Sequence, residues 1–224
     1  MRSAEVQAPG RVNLVGEHID YHGLPVLPMA IDRRIRIRFR ARPDRRISVS
    51  SGGFGRREFP WERALQPVAA GDWENYLRAA ARAVEARWGL LAGVDASIES
   101  DLPPAAGLAS SSAMMVAFTL CLLAAAGVDT SFEELMAVLP QGEQFVGTRG
   151  GAMDHAAILA ARAAHASFVE FAPLVVRYIP VPREWAFLAA HSLETAEKSG
   201  AALAAYNARR QAGTAALAKL GFAT

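Results

Sequence analysis

The residues from Ser110 to Ala126, SSSAMMVAFTLCLLAAA, constrain the fold of this chain more than any other stretch. They are apolar nearly all round, and Gly127 stands where a helix would close. A helix without a polar face is a buried helix. Its apolar run, Ala113 to Ala126 with Thr119 inside it, falls short of the roughly 18 residues that span a bilayer. The material to bury it is present. The chain has 224 residues, 52% of them hydrophobic and 21% charged, enough for one large domain or one and a half ordinary ones.

The run IDRRIRIRFRAR, Ile31 to Arg42, alternates strictly. Ile35, Ile37, Phe39 and Ala41 face one way, and Arg34, Arg36, Arg38, Arg40 and Arg42 the other. That is a half-buried strand with one basic face. The turn PDRR then returns the chain into ISVSS as a second strand. Gly10 to Gly16 is a short extended segment. A helix is predicted from Trp73 to Trp88, with Asp72 as its N-cap and Gly89 after it, and Tyr76, Leu77, Ala80, Val84 and Trp88 form one stripe. Val94–Ser100 reads as a strand, and Ser131 with Glu134 as a capping box for a further helix. Gly151 to about Ala164 is a helix, ASFVEF and LVVRYIPV are paired strands, WAFLAA is another strand, and about Gly200 to Leu220 is an amphipathic helix. Strands come in pairs and helices in blocks, so the class is α+β rather than a doubly wound sheet. A break falls near Pro180–Glu184. Too little follows it to form a core of its own.

The net charge of +2 gives no reason to expect a polyanionic partner, and the arginine row reads as a solvated sheet face. The start, MRSAEVQAPG, lacks the apolar core of a signal peptide. The single cysteine, Cys121, lies in an apolar run and has no partner for an intrachain disulfide. These features predict a soluble protein of the reducing cytoplasm that binds neither nucleic acid nor membrane and has no obligate protein partner.

Three short segments carry the chemistry. Ala8–Asp32 packs Arg11, Glu17, His18, Asp20 and His22 into an otherwise mostly apolar stretch. LPPAAGLASSSA, Leu102 to Ala113, leads a glycine and three serines into the buried helix. Free N–H groups and the positive end of the macrodipole make such a helix start a seat for phosphate, and serine hydroxyls add donors or a Mg²⁺ ligand. Ordinary capping explains one serine but not three. No Walker lysine and no G-x-S-x-G pattern is present. Third, Asp154 sits just inside a predicted helix behind Gly150 and Gly151. An acid there is favoured by the helix dipole alone, and a glycine-lined turn also lets a substrate approach the backbone. A rival reading takes His18, Asp20 and His22 as zinc ligands on one face of a strand.

Together, GRVNLVGEHIDYHGLPVLPMAI, LPPAAGLASSSA and GGAMD occur in the order of the signature segments of the galactokinase family, within the GHMP small-molecule kinases, and the chain resembles that family over essentially its whole length. DWENYLRAAARAV and SLETAEKSGAALAAYNARR add weaker matches. The resemblance implies the ribosomal-protein-related α+β fold of a GHMP-kinase N-terminal domain over residues 1–182, with residues 183–224 as the start of an incomplete C-terminal domain. It implies transfer of the γ-phosphoryl group of ATP to the anomeric hydroxyl of galactose, with Mg²⁺. Asp154 matches the catalytic base and Arg11 the arginine beside it. Glu17, His18, Asp20 and Gly151 match the sugar-binding positions. Gly107, Leu108, Ala109, Ser110, Ser111 and Ser112 match the phosphate loop, and Trp73 and Asn75 lie near the nucleotide. Ser112 and Glu143 are the expected metal ligands. The chain departs from the family at Gly142, where a metal-holding glutamate is usual, with Glu143 one residue later. Either a distortion at Pro140, inside the same helix, brings Glu143 round, or the metal site is weakened. His155 stands for the usual glutamine and Ile19 for threonine, which leaves N-acetylgalactosamine, arabinose and galacturonate as alternative sugars. A catalytically impaired sugar- and ATP-binding sensor is the other alternative.

Overall fold

The alternating run becomes the spine of the molecule. In the computed structural model, which describes residues 4–147, 150–192 and 200–221, it lies within β2 (Leu27–Arg42). Ile35, Ile37 and Phe39 are buried in the main core, and the intervening arginines face away. Around β2 the sheet runs in the order β1-β2-β5-β3-β4, with β1 (Ala4–Val15), β3 (Arg46–Ser51), β4 (Gly55–Pro60) and β5 (Gly93–Ser100). Every neighbouring pair is antiparallel except β3 with β5. A parallel pair requires a crossover. Here α1 (Glu74–Trp88) supplies it, so β5 inserts between β2 and β3. The return of ISVSS from the PDRR turn is therefore a strand, as expected, but not the hairpin partner of β2.

The apolar helix α2 (Ser110–Ala126) has the boundaries the sequence implies, and Gly127 ends it in the left-handed conformation. It packs on α1, β1 and β2, with Phe118 and Leu122 fully buried among Leu77, Val84, Ile37 and Ile47. The capping box at Ser131 and Glu134 starts α3 (Phe132–Gly142). A 3-10 turn, Glu143–Val146, follows, then α4 (Met153–Leu159). A hairpin of β6 (His165–Phe171) and β7 (Leu174–Pro180) is joined to the body by a bridge between Val26 and Val169. The last element is α5 (Gly200–Lys219).

Four expectations change. The helix expected over 151–164 is only α4, because the chain turns after Ala160 and Ala164 takes a φ of 59°. The WAFLAA segment is no strand: residues 183–192 carry no regular element beyond a turn, and Trp185, Phe187 and Leu188 are exposed. An apolar segment with nothing to pair or pack against gains no stability from strand geometry. Helix α1 begins at Glu74 rather than Trp73, although Asp72 Oδ1 does accept from the Glu74 N–H at 2.9 Å. The tail helix packs through Tyr206, Asn207, Arg210 and Thr214, so its half-buried stripe is largely polar. The 193–199 part of SLETAEKSGAALAAYNARR and the Thr148–Arg149 part of the second glycine turn lie outside the described residues.

The arginine face of β2 is neutralised across the sheet. Arg38 reaches Glu5 on β1 at 2.9 Å and Glu99 on β5 at 3.0 Å, and Arg42 reaches Asp95 and Asp44, both at 2.7 Å. These pairs are solvated and contribute little each. Ile37→Ala is expected to cost about 2–5 kcal/mol, against less than about 1 kcal/mol for Arg38→Ala. Urea unfolding of both variants checks the contrast.

Candidate functional site

β1 meets the first glycine turn through Arg11, and the polar turn that follows β1 meets the second through Asp20. Gly10 lets β1 run against the loop before α2, since a side chain there would overlap Leu102 and approach the Leu108 carbonyl. The Arg11 N–H then donates to Leu108 O at 3.1 Å. That contact aims the Arg11 side chain along the loop. Its NH1 donates to Gly107 O at 2.6 Å, and its Nε and NH2 both reach Asp154 Oδ1 at 2.7 Å. The guanidinium and the carboxylate are 13% and 16% exposed, so the pair is shielded yet reachable.

Ser112, in the first turn of α2, is fully buried. Its Oγ donates to Glu143 Oε1 at 2.5 Å and lies 3.3 Å from Asp154 Oδ2. One hydroxyl between two carboxylates sets three hard oxygen donors within a few ångströms, the chemistry a magnesium ion prefers. Glu143 is itself buried. It gets there because α3 continues through Pro140 to Gly142 and then tightens into the 3-10 turn, which brings residue 143 rather than 142 towards Ser112. Gly142 faces Met115 instead.

The start of α2 keeps its donors. Ala109 is left-handed, with φ 61°, and no side chain caps the helix. Ser112 turns to Glu143 instead of capping, and Ser110 and Ser111 line the adjoining cleft. The N–H groups of the first turn have no acceptor within the helix and adjoin this cavity, which makes it a candidate anion seat. The cleft holds about 1050 Å³ and runs from Asp154 past Gly107 to Trp73. Asn75 lines it too, but its amide accepts from Val68 N–H at 2.8 Å and donates to Ala69 O at 3.0 Å, which fixes the 68–69 loop.

On the other side of Asp154 lies Asp20, in the 3-10 turn Asp20–His22. Its Oδ2 accepts from the Met153 N–H at 3.1 Å, and a side chain at Gly151 would overlap its carboxylate. Burial raises the Asp20 pKa above its ordinary 3.8; the Met153 hydrogen bond opposes this, and the Asp154 charge adds to it. His18, at φ 61°, pairs its Nδ1 with the Tyr21 hydroxyl at 2.9 Å. Glu17 is exposed on the adjoining turn. The zinc geometry fails: His18, Asp20 and His22 follow a turn rather than a strand, and among the described residues no three His, Cys, Asp or Glu side chains are placed to hold a metal.

Tyr206 is a residue that the sequence reading missed. Its ring lies 5.4 Å from His18 and 6.1 Å from Tyr21. Burial first, then the charges of Asp20, Asp154 and Glu143, hold its hydroxyl protonated well above the usual tyrosine range. It is thus a protonated hydroxyl within the field of three carboxylates. The half-buried polar spacing of Tyr206, Asn207, Arg210 and Thr214 along α5 was the available signal.

Residues 75–162 match the GHMP kinases N terminal domain model, and residues 2–41 the galactokinase galactose-binding signature. A galactokinase of Roseiflexus sp. is 36% identical over 220 residues, 96% of this chain and 54% of that protein. One from Chloroflexus aggregans is 38% identical over 179 residues, 79% of this chain and 45% of that protein. The crystal structure of Lactococcus lactis galactokinase complexed with galactose superposes with a TM-score of 0.76 at 25% identity, covering 80% of this chain and 47% of that one. The fold and these matches define a GHMP-kinase N-terminal domain, matched over residues 75–162. The chain is a homologue of the galactokinases. It spans about half the length of the relatives it matches. Among the described residues no helix is long and apolar enough to cross a membrane.

The raised pKa of Asp20 has a consequence for stability. The folded protein holds this proton more tightly than the unfolded chain, so the contribution is full below pH 3.8 and is lost as pH rises through the folded-state value. Above that value the buried charge is a cost. Asp20→Asn keeps an oxygen for the Met153 N–H, and its melting temperature at pH 7 should equal or exceed that of the parent, with a flatter pH profile. A clear drop in melting temperature would contradict this account of Asp20.

Proposed function

We propose that this chain carries the sugar and ATP sites of a sugar 1-kinase that phosphorylates galactose at its anomeric hydroxyl. Residues 1–182 form the substrate-binding domain in this reading, and 183–224 begin a second one. The observation that supports it is the continuous set Arg11–Asp154–Ser112–Glu143, with an anion seat on one side and Asp20 on the other. Phosphoryl transfer needs positioning and charge neutralisation more than covalent help from the protein.

In this mechanism the sugar lies between Asp20, the Gly151 backbone, His18, Glu17 and Tyr206. A sugar is uncharged and rich in hydroxyls, so a fan of acceptors and donors at fixed places reads its stereochemistry; a wrong epimer leaves buried polar groups unpaired. The phosphates of ATP lie over the Gly107–Ser112 loop, and the base extends towards Trp73. Magnesium fits the oxygens of Ser112 and Glu143, where it would offset phosphate charge. Asp154 takes the proton of the anomeric hydroxyl as its oxygen bonds the γ-phosphorus. The bond from that phosphorus to the bridging oxygen breaks and ADP leaves. Arg11, paired with Asp154, is a second positive group beside the transferring phosphoryl.

Asp154→Asn separates binding from chemistry. Calorimetry should find sugar bound by the variant with little change, while ADP release falls by on the order of 10²–10⁴-fold, the usual loss for a general base. Near-normal release would remove Asp154 from that role. A parent chain that is stabilised by sugar yet forms no ADP would be a binding protein rather than a kinase.

A further inference from the structure

The turn between β3 and β4 reads Ser51-Gly52-Gly53-Phe54-Gly55. Hairpin tips are ordinarily small or polar, because they project into water. This one places a large aromatic among three glycines, with Phe54 52% exposed. Phe54 belongs to neither apolar core cluster. It forms part of the wall of the 1050 Å³ cleft that also contains Ser110, Ser111 and Trp73.

The two aromatic walls are held differently. Trp73 stands at the start of α1 with the Arg57 guanidinium 5.5 Å from its ring centre, and Arg57 is held by Asp72 at 3.2 Å and Glu74 at 3.6 Å. Phe54 rides on a tip where a side chain at Gly52, Gly53 or Gly55 would meet nothing within 4 Å. Gly53 and Gly55 take φ of 83° and 75°, a conformation glycine adopts freely. One hydrogen bond links tip and wall, from the Trp73 indole N–H to Phe54 O at 3.1 Å. The rings are 6.4 Å apart and tilted by 58°. Such a tilted, unstacked pair leaves the exposed Phe54 ring able to turn towards a planar guest.

We propose that Phe54 is a clamp for the heterocyclic base of the nucleotide, stacking on it across from Trp73 while the start of α2 holds the phosphates. The proposal rests on the reading of the cleft as the nucleotide site. Stacking suits this place because any purine or pyrimidine offers a π-face, and a tip free to adjust needs no exact hydrogen-bond partner.

Two probes separate base from phosphate: ATP with magnesium, and tripolyphosphate with magnesium. Each is titrated calorimetrically into the full chain and into its Phe54→Ala and Phe54→Tyr variants. Phe54→Ala should weaken ATP by on the order of tenfold, the scale of one lost stacking contact, and leave tripolyphosphate and galactose affinity unchanged. Phe54→Tyr should bind ATP as the parent does. Unchanged ATP affinity in Phe54→Ala, or equal weakening of both probes, would overturn the clamp. If the parent binds neither probe, the nucleotide-site reading falls and the clamp with it; if the parent binds ATP and Phe54→Ala matches it, only the clamp falls.

Discussion

The contact between Arg11 and Asp154 organises everything else at this end of the molecule. It joins β1 to α4 across 143 residues of sequence, and a third bond from Arg11 ties both to the loop before α2. Such a shielded pair adds little net stability, because the desolvation of two charges offsets much of their attraction. Its effect is positional. Removing either partner would leave the other charge shielded and uncompensated, so the geometry is kept even though the energy gained is small. Three segments distant in the chain therefore have one arrangement relative to one another.

Around that pair the charges are layered by sign. Asp20, Asp154 and Glu143 lie close enough together that all three raise the pKa of the same tyrosine, Tyr206. A cluster of carboxylates is unfavourable unless something balances it. Arg11 balances one, the Met153 N–H and a raised pKa relieve another, and the Ser112 hydroxyl bonds the third. In the proposed reading, the remaining negative field and the donors at the start of α2 are complementary halves of one site, suited to a metal-bound polyphosphate beside a neutral polyol.

Much of the fold was legible because its signals are local. The strict alternation of Ile35, Ile37 and Phe39 fixed one face of β2, the unbroken apolar surface of Ser110–Ala126 fixed a buried helix, and the Ser131–Glu134 box is a reciprocal pair of hydrogen bonds written in four residues. The insertion of β5 between β2 and β3 was not legible, since strand order depends on a crossover rather than on any residue of β3. WAFLAA has strand composition but finds no neighbour among the described residues to pair with. At the site, the resemblance named Arg11, Asp154, Ser112 and Asp20, and these come together. Glu143 turned on a question of helical phase. Pro140 does not end α3; the helix tightens after Gly142, and that change of geometry carries the carboxylate to Ser112. Tyr206 escaped notice because a polar stripe on a helix resembles a solvated face until the tertiary partner is known.

The central claim is that one cluster, anchored by Arg11 and Asp154, passes a phosphoryl group from a nucleotide to a sugar. Phosphorus NMR of the chain incubated with magnesium ATP and galactose tests this most directly. A sugar phosphate resonance should grow in step with ADP and be absent without the sugar. ADP that accumulates equally with and without galactose, or with no phosphorylated sugar beside it, would contradict the account.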